Sequence, residues 1–376
     1  MGATEVALLI ASFSGDAVVR MSHVTAEGEL RKGRNERAEV LPLRGTAFER
    51  VLCAQERIVT PTGSGWDVLV PVTERGDAIG ILELELHDDP VEEVLDYLDA
   101  AAHALAYVLI ASRRHTDLFE WAQRDTPFSL AAEIQRRLLP SSYSVESASF
   151  TLAGWLEPSS TVGGDTFDYS MDREHLYLSI TDAMGHSTHA ALLATLTVGS
   201  LRNSRRALAS PGEQARAAND ALLRDTRPDQ FVTGLVLRIG LGDGLLEVVN
   251  AGHHPPFLLR AGAVSVLDLP PDLVLGVADA DYLVHRFPLE AGDRLLFITD
   301  GFLERNAADV DVAGALAASR ALHPREMVGR LSRRVIEAAG GALTDDAAAL
   351  CLDWYGPGGR REATSGASRA RATPTS

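Results

Sequence analysis

The chain has 376 residues, room for two or three domains at about 150 residues each, and its 46% hydrophobic and 23% charged residues exclude a mostly disordered or fibrous protein. Against 35 basic residues stand 52 acidic ones, for a net charge of −17. Nucleic acid and anionic lipid surfaces are therefore poor partners, and an anionic substrate needs a local cation.

A first domain is expected over residues 1–112. Short apolar runs alternate there with turns: EVALLIASFSGDAV reads as a strand and turn, and WDVLVPVTERGDAIGILELEL as two strands joined at Arg75-Gly76-Asp77. The chain begins without the basic stretch of a signal peptide. Its longest apolar run, Ala100 to Ala111, is too short to cross a bilayer, so no membrane partner and a cytoplasmic location are expected. From Pro90 the period changes to three and four residues, and Val91, Val94, Leu95, Leu98, Ala102, Leu105, Val108 and Leu109 form one helical stripe. The pattern continues through RRHTDLFEWAQR to a break at Thr126-Pro127. Such a helix serves either its own sheet or a linker and dimer seam, and a parallel homodimer is expected. A helical linker or switch segment is expected over 113–140. It ends in SLAAEIQRRLLP, with Ser129 as N-cap, Leu130, Ile134 and Leu138 on one face, and Gln135 and Arg136 opposite.

Residues 141–356 have another texture. The runs FTLAGWLEP, HLYLSITDA, VTGLVLRIG, LLEVVNAG, PFLLRAGAVSVLDL, HRFPL, DRLLFITDG and AAALCLDW give about eight strands. Helical stretches lie between them at THAALLATLTVGSLRNSRRAL, GEQARAANDALLRD and PREMVGRLSRRVIEAAGG. Two groups of strands surrounded by helices fit an α+β sandwich better than strict βαβ winding. The tail, residues 357–376, lacks large apolar side chains and is expected to be disordered. Cys53 and Cys351 lie far apart among apolar neighbours and read as buried free thiols.

In four places an Asp closes an apolar strand beside glycine or another acid: Gly163-Gly164-Asp165, Ile180-Thr181-Asp182, Ile298-Thr299-Asp300-Gly301 and Thr344-Asp345-Asp346. Any one of them could simply begin a turn. Together in one domain, strands that deliver carboxylates to a common sheet edge can build an oxygen-ligand site for Mg²⁺ or Mn²⁺. Other motifs fail: Gly163-Gly164 lacks the Gly-Lys-Ser/Thr of a P-loop, and Gly252-His253-His254 lacks the partners of a zinc site. His253-His254 before Pro255-Pro256 reads most simply as a turn.

The blocks Ala132-Glu133-Ile134-Gln135-Arg136-Arg137-Leu138-Leu139-Pro140, Val162-Gly163-Gly164-Asp165-Thr166-Phe167-Asp168, Asp182-Ala183-Met184-Gly185-His186, Asn250-Ala251-Gly252-His253-His254-Pro255-Pro256, Thr299-Asp300-Gly301 and Asp345-Asp346 come in a telling order. Residues 125 to 355 resemble the bacterial SpoIIE and RsbU branch of the protein phosphatase 2C-like (PPM) serine/threonine phosphatases. The resemblance implies two antiparallel sheets packed face to face with helices outside. It also implies two Mn²⁺ or Mg²⁺ ions bridged by Asp182, with the Ala183 carbonyl and with Asp165, Asp300 and Asp345 as further ligands. Asp168 and Asp346 are implied as outer or water-mediated groups. Two such ions lower the pKa of a bridging water, so a hydroxide attacks and no covalent nucleophile is needed. His186 either assists proton transfer to the leaving group or packs beneath the metal loop. Three departures bear on substrate fit and rate: Ser187 after Gly185-His186, Thr166 where an aromatic is usual, and Ala348 where a Thr is expected.

The implied substrate is a phosphoserine or phosphothreonine on a small bacterial signalling protein, such as an anti-sigma-factor antagonist. The alternative is a weakly active or inactive phosphoprotein-binding and dimerisation scaffold. The first domain, through Pro42-Leu43-Arg44-Gly45-Thr46-Ala47, Val70-Pro71-Val72 and Gly80-Ile81-Leu82-Glu83-Leu84, resembles a GAF sensory domain. That leaves open either a small-molecule ligand or a pure dimerisation module.

Overall fold

The computed structural model describes residues 2–12, 17–25, 30–32, 39–113, 115–117, 119, 129–157, 164–185, 187–227, 229–303, 310–340, 343 and 345–359. The expected helical continuation toward Thr126-Pro127 and most of the tail fall outside them. The chain divides into two compact units, Met1–Pro127 with Glu362–Ser376 and Phe128–Arg361.

The first unit is built on one antiparallel sheet. Its strands are β1 (Ala3–Ala11), β2 (Ala17–Thr25), β3 (Leu30–Lys32), β4 (Glu39–Pro42), β5 (Ile58–Pro61), β6 (Trp66–Glu74) and β7 (Asp77–Leu86), in the order β3-β2-β1-β7-β6-β5, with β4 also on β2. The hairpin read at Arg75-Gly76-Asp77 is present, and its tight turn puts Arg75 and Gly76 at φ 46° and 82°. Alternation along the strands gives the sheet two apolar faces. Helix α1 (Ala47–Ala54) covers Leu9, Val18, Leu69 and Ile81, and helix α2 (Glu92–Ser112) covers Ile10, Val68, Val70 and Leu84.

Helix α2 corrects the sequence reading twice. It has 21 residues and a mean hydropathy of 1.5 over its most apolar window, so by length and composition it is sufficient to cross a membrane, unlike the shorter run on which the reading rested. Its buried face is Leu95, Leu98, Ala102, Ala106 and Leu109, whereas Val91 and Val108, assigned to the same stripe, are exposed. Tyr97, Tyr107 and Val108 lie on the outward side.

The second unit is a sandwich of two antiparallel sheets. One sheet orders β10 (Thr166–Met171), β11 (His175–Ala183), β12 (Val232–Gly240), β13 (Leu245–Ala251) and β16 (His285–Pro288). The other orders β15 (Ala263–Val266), β14 (Phe257–Arg260), β17 (Arg294–Ile298), β18 (Ala347–Trp354), β9 (Phe150–Glu157) and β8 (Ser144–Glu146). Strands β8 and β10, short and partly polar, are additions to the expected set. Between the sheets lies an apolar layer that includes Phe150, Phe167, Leu176, Ile180, Leu237, Phe297, Leu350 and Trp354. Helices α4 (Ser187–Arg206) and α5 (Pro211–Asp225) cover the first sheet, and α6 (Val312–Ala318) and α7 (Pro324–Ala338) cover the second. Helix α5 starts in a complete capping box, with Ser210 and Glu213 exchanging hydrogen bonds and Pro211 in the first turn.

Helix α3 (Leu130–Leu138) belongs to this second unit. Ser129 caps it as expected, accepting from the Ala132 amide at 3.2 Å. Its packed face is not the expected one. Leu130 is 66% exposed, and the buried residues are Ala131, Ala132 and Gln135, the last only 1% exposed. Of the expected stripe, Leu138 packs partly against the helical layer of α4 and α5.

Because Leu350 is fully buried between the sheets, Leu350→Ala should cost about 2–5 kcal/mol of stability, read as a lowered midpoint in urea with an unchanged slope.

Candidate metal centre

The ladder of the first sheet brings two acids side by side. Asp182, next to last in β11, pairs in register with Thr233 of β12. Asp165 immediately precedes β10, whose opening pair Thr166–Thr181 is tied by a 2.6 Å hydrogen bond between hydroxyls. One step further along an antiparallel ladder stand Asp165 and Asp182. The second sheet does the same. Asp300 opens a short 3-10 turn (Asp300–Phe302) just after β17, and Asp345 and Asp346 precede β18, which pairs with β17. At Gly301 a Cβ would fall on the Asp346 carbonyl, so only glycine lets these two segments approach so closely.

These acids feel one another strongly. Burial pushes the Asp165 carboxyl well above the usual range, and Asp182, Asp346 and Asp300 add to it, against a 2.6 Å hydrogen bond donated by Thr299. Burial, then Asp300, Asp345 and Asp346, push Asp182 up to about 7, while a hydrogen bond with Asp165 opposes them. Burial and Asp300 also raise Asp345. Asp182 is the shared member, within the field of carboxylates from both sheets. Beside it the Ala183 backbone is held by its amide donating to the Gly164 carbonyl at 3.3 Å, and by the Met184 amide donating to Phe231 at 3.0 Å.

Among the described residues, no three of these side chains are drawn into a finished metal cage. Their chemistry nevertheless fits a hard divalent cation: the donors are all oxygen, Asp165 is buried and Asp182, Asp300 and Asp345 are half-buried around it, and a cation or shared protons would relieve their mutual repulsion.

Three other expected residues fare differently. Asp346 accepts from the Gly164 amide at 3.1 Å and from Gln135 Nε2 at 2.6 Å. Asp168 does not join them: on β10 it is taken up by Arg202 (2.8 and 3.1 Å) and Arg205 (2.9 Å) of α4. Arg202 also donates to the Leu138 carbonyl, which fastens the end of α3 to the same anchor. His186 lies outside the described residues.

Sequence reasoning missed Gln135. Its Nε2 donates both to the Asp346 carboxylate and, at 2.8 Å, to the Asp165 carbonyl, while its buried Oε1 has no hydrogen-bond partner among the described residues. A glutamine set on the polar side of an amphipathic helix carries no signal of this; the signal available was the small pair Ala131-Ala132, which lets a helix approach closely.

The raised Asp182 carboxyl fixes a sign. In metal-free protein it binds a proton more readily folded than unfolded, so its favourable contribution is complete below about pH 4 and is lost as pH rises toward about 7. Melting temperatures in chelator should therefore fall between pH 5 and pH 8, and Asp182→Asn should flatten that fall. An equal fall in both proteins would contradict the mutual repulsion described above.

Residues 172–355 match the model of the family described as Stage II sporulation protein E (SpoIIE). The chain is 24% identical over 223 residues to the phosphoserine phosphatase RsbU of Bacillus subtilis (strain 168), covering 58% of this chain and 66% of that protein, so the match spans a little under two thirds of the relative's length. The solved PP2C phosphatase domain of Bacillus subtilis SpoIIE, with a fragment of its regulatory domain, superposes with a TM-score of 0.50 at 20% identity, over 56% of this chain and 64% of that one. A catalytic domain of the serine/threonine phosphatase PstP, solved with two manganese ions, gives a TM-score of 0.44 at 18% identity, over 55% and 98% of the two chains. The sandwich that carries these acids thus has the PP2C-like phosphatase fold and, over residues 172–355, resembles the SpoIIE family.

Proposed function

We propose that the second unit is a metal-dependent protein phosphatase that hydrolyses phosphoserine or phosphothreonine on a bacterial signalling protein of the anti-sigma-factor antagonist type. The observation that carries this reading is the half-buried Asp182 in the field of Asp165, Asp300 and Asp345, delivered by both sheets to one edge. These four carboxylates and the Ala183 carbonyl would hold two Mn²⁺ or Mg²⁺ ions, which supply a deprotonated water for in-line attack and the positive charge that stabilises the phosphoryl oxygens. The chain's own work is positioning. Thr299 orients Asp165, while the Gly164 amide and Gln135 hold Asp346 behind the ligands. His186, four residues after Asp182 in the sequence, is the candidate proton donor to the leaving oxygen.

Control by the first unit, in the manner of a GAF-type sensor with or without a small ligand, is part of the same proposal. Helix α3 is the element suited to carry it, because Gln135 joins the helix to both Asp165 and Asp346. The outward side of α2 supports a homodimer: Tyr97, Ala104, Val108 and Ala111 recur at seven, four and three residues on exposed helix, the spacing of a coiled-coil seam.

Two measurements test the proposal. Asp182→Asn should lower Mn²⁺-dependent hydrolysis of p-nitrophenyl phosphate by at least ~100-fold, about 2.7 kcal/mol of transition-state stabilisation, while Asp225→Asn, at the end of α5, behaves like the parent. Parental activity in Asp182→Asn, or a parent without metal-dependent activity on any phosphoprotein, would leave the scaffold alternative in its place. Light scattering after size exclusion at micromolar concentration should give twice the 40.3 kDa chain mass, and Val108→Glu should return it to one.

A further inference from the structure

The turn at Asn250-Ala251-Gly252-His253 is more than a reversal of the chain. It is closed by the Asn250 side chain, whose Oδ1 accepts from the His253 amide at 2.7 Å and whose Nδ2 donates to the Leu269 carbonyl at 3.0 Å. Gly252 adopts φ +71°, and a Cβ there would fall on the Val274 side chain. The outcome is that the His253 ring is driven inward and buried while His254 stays exposed.

The buried ring has two partners, one on each sheet. Its Nε2 lies 3.2 Å from the Ile298 carbonyl at the end of β17, and its Nδ1 lies 3.0 Å from the Thr233 hydroxyl at the start of β12. A carbonyl only accepts, so Nε2 carries the proton, and the bare Nδ1 accepts from Thr233. Burial, reinforced by His254, pushes the ring down to about 4 and keeps it in this neutral form. Thr233 is the register partner of Asp182, and Ile298 stands two residues before Asp300. We propose that His253 is a positioning residue of the metal centre, a clamp between the sheets that sets the spacing between Asp182 on one and Asp300 on the other. The inference rests on the phosphatase reading for the identity of the cation, and on the two hydrogen bonds for the clamp.

The test is calorimetric titration of the full chain with Mn²⁺, paired with turnover of p-nitrophenyl phosphate over a range of Mn²⁺ concentrations and with melting in chelator. His253→Leu and Thr233→Val should each weaken Mn²⁺ affinity by about tenfold or more and raise half-saturating Mn²⁺ by the same factor, while kcat at saturating Mn²⁺ stays within about threefold. The double variant should be no worse than the poorer single one, since both remove the same link. His253→Gln, which keeps a donor and an acceptor, should recover most of the affinity. Ser319→Ala, which loosens the distant Arg294 contact, should lower the melting temperature and leave affinity unchanged. If His253→Leu does not fold, Thr233→Val decides the question. Parental Mn²⁺ affinity in Thr233→Val, with only a lowered melting temperature, would overturn the clamp alone; a parent that binds no Mn²⁺ would overturn the phosphatase reading together with it.

Discussion

Everything in the second unit answers to one electrostatic difficulty, the burial of several carboxylates within one another's field. Unpaired, such a group is among the most costly things a protein interior can contain. It persists because the surrounding frame is rigid and strongly apolar: the layer from Phe150 to Trp354 locks two sheets face to face, and the acids sit where strands of both sheets end. A looser frame would let the carboxylates swing apart into water. The repulsion is therefore stored by the hydrophobic packing, and any ligand that brings positive charge to the edge releases it.

Around the acids runs a set of neutral donors. The Thr299 hydroxyl serves Asp165, the Gly164 amide and Gln135 serve Asp346, and Ala348 in turn donates its amide to Thr299 at 2.9 Å. None of these groups brings a full charge. That suits a centre meant for cations: a guanidinium in the same place would satisfy the carboxylates permanently. Where arginines do appear, at Arg202 and Arg205, they are spent on Asp168, on the helical side of the sheet.

Much of this could be read from the chain. Alternating apolar residues that end in Asp gave the strands and the four acidic positions, because period-two patterning and a terminal charge are both local features. The faces of α3 could not be read in that way. Its large apolar residues pointed to Leu130, Ile134 and Leu138, but a buried glutamine with two acceptors outweighs a solvent-exposed leucine, and those acceptors, Asp165 and Asp346, lie far off in sequence. The same holds for His253: the turn is local and was legible, but the ring's partners belong to two other strands. Asp168 misled for the opposite reason, since its motif position places it near Asp165 while strand alternation turns it toward α4. In the first unit, α2 showed how a helix rich in alanine offers apolar residues on more than one side, so that periodicity alone cannot choose the packed one.

The bond from Arg202 to the Leu138 carbonyl makes α3 a lever with a fixed fulcrum. Gln135 sits three residues from that pin, roughly 4.5 Å along the axis, whereas Leu130 at the far end is about 12 Å away. Any tilt about the fulcrum is thus geared down: a displacement at the amino-terminal end reaches Gln135 at less than half its size. Hydrogen bonds tolerate only a few tenths of an ångström before they weaken, so a coarse tilt at one end of the helix would reach the carboxylates at the other as a fine adjustment.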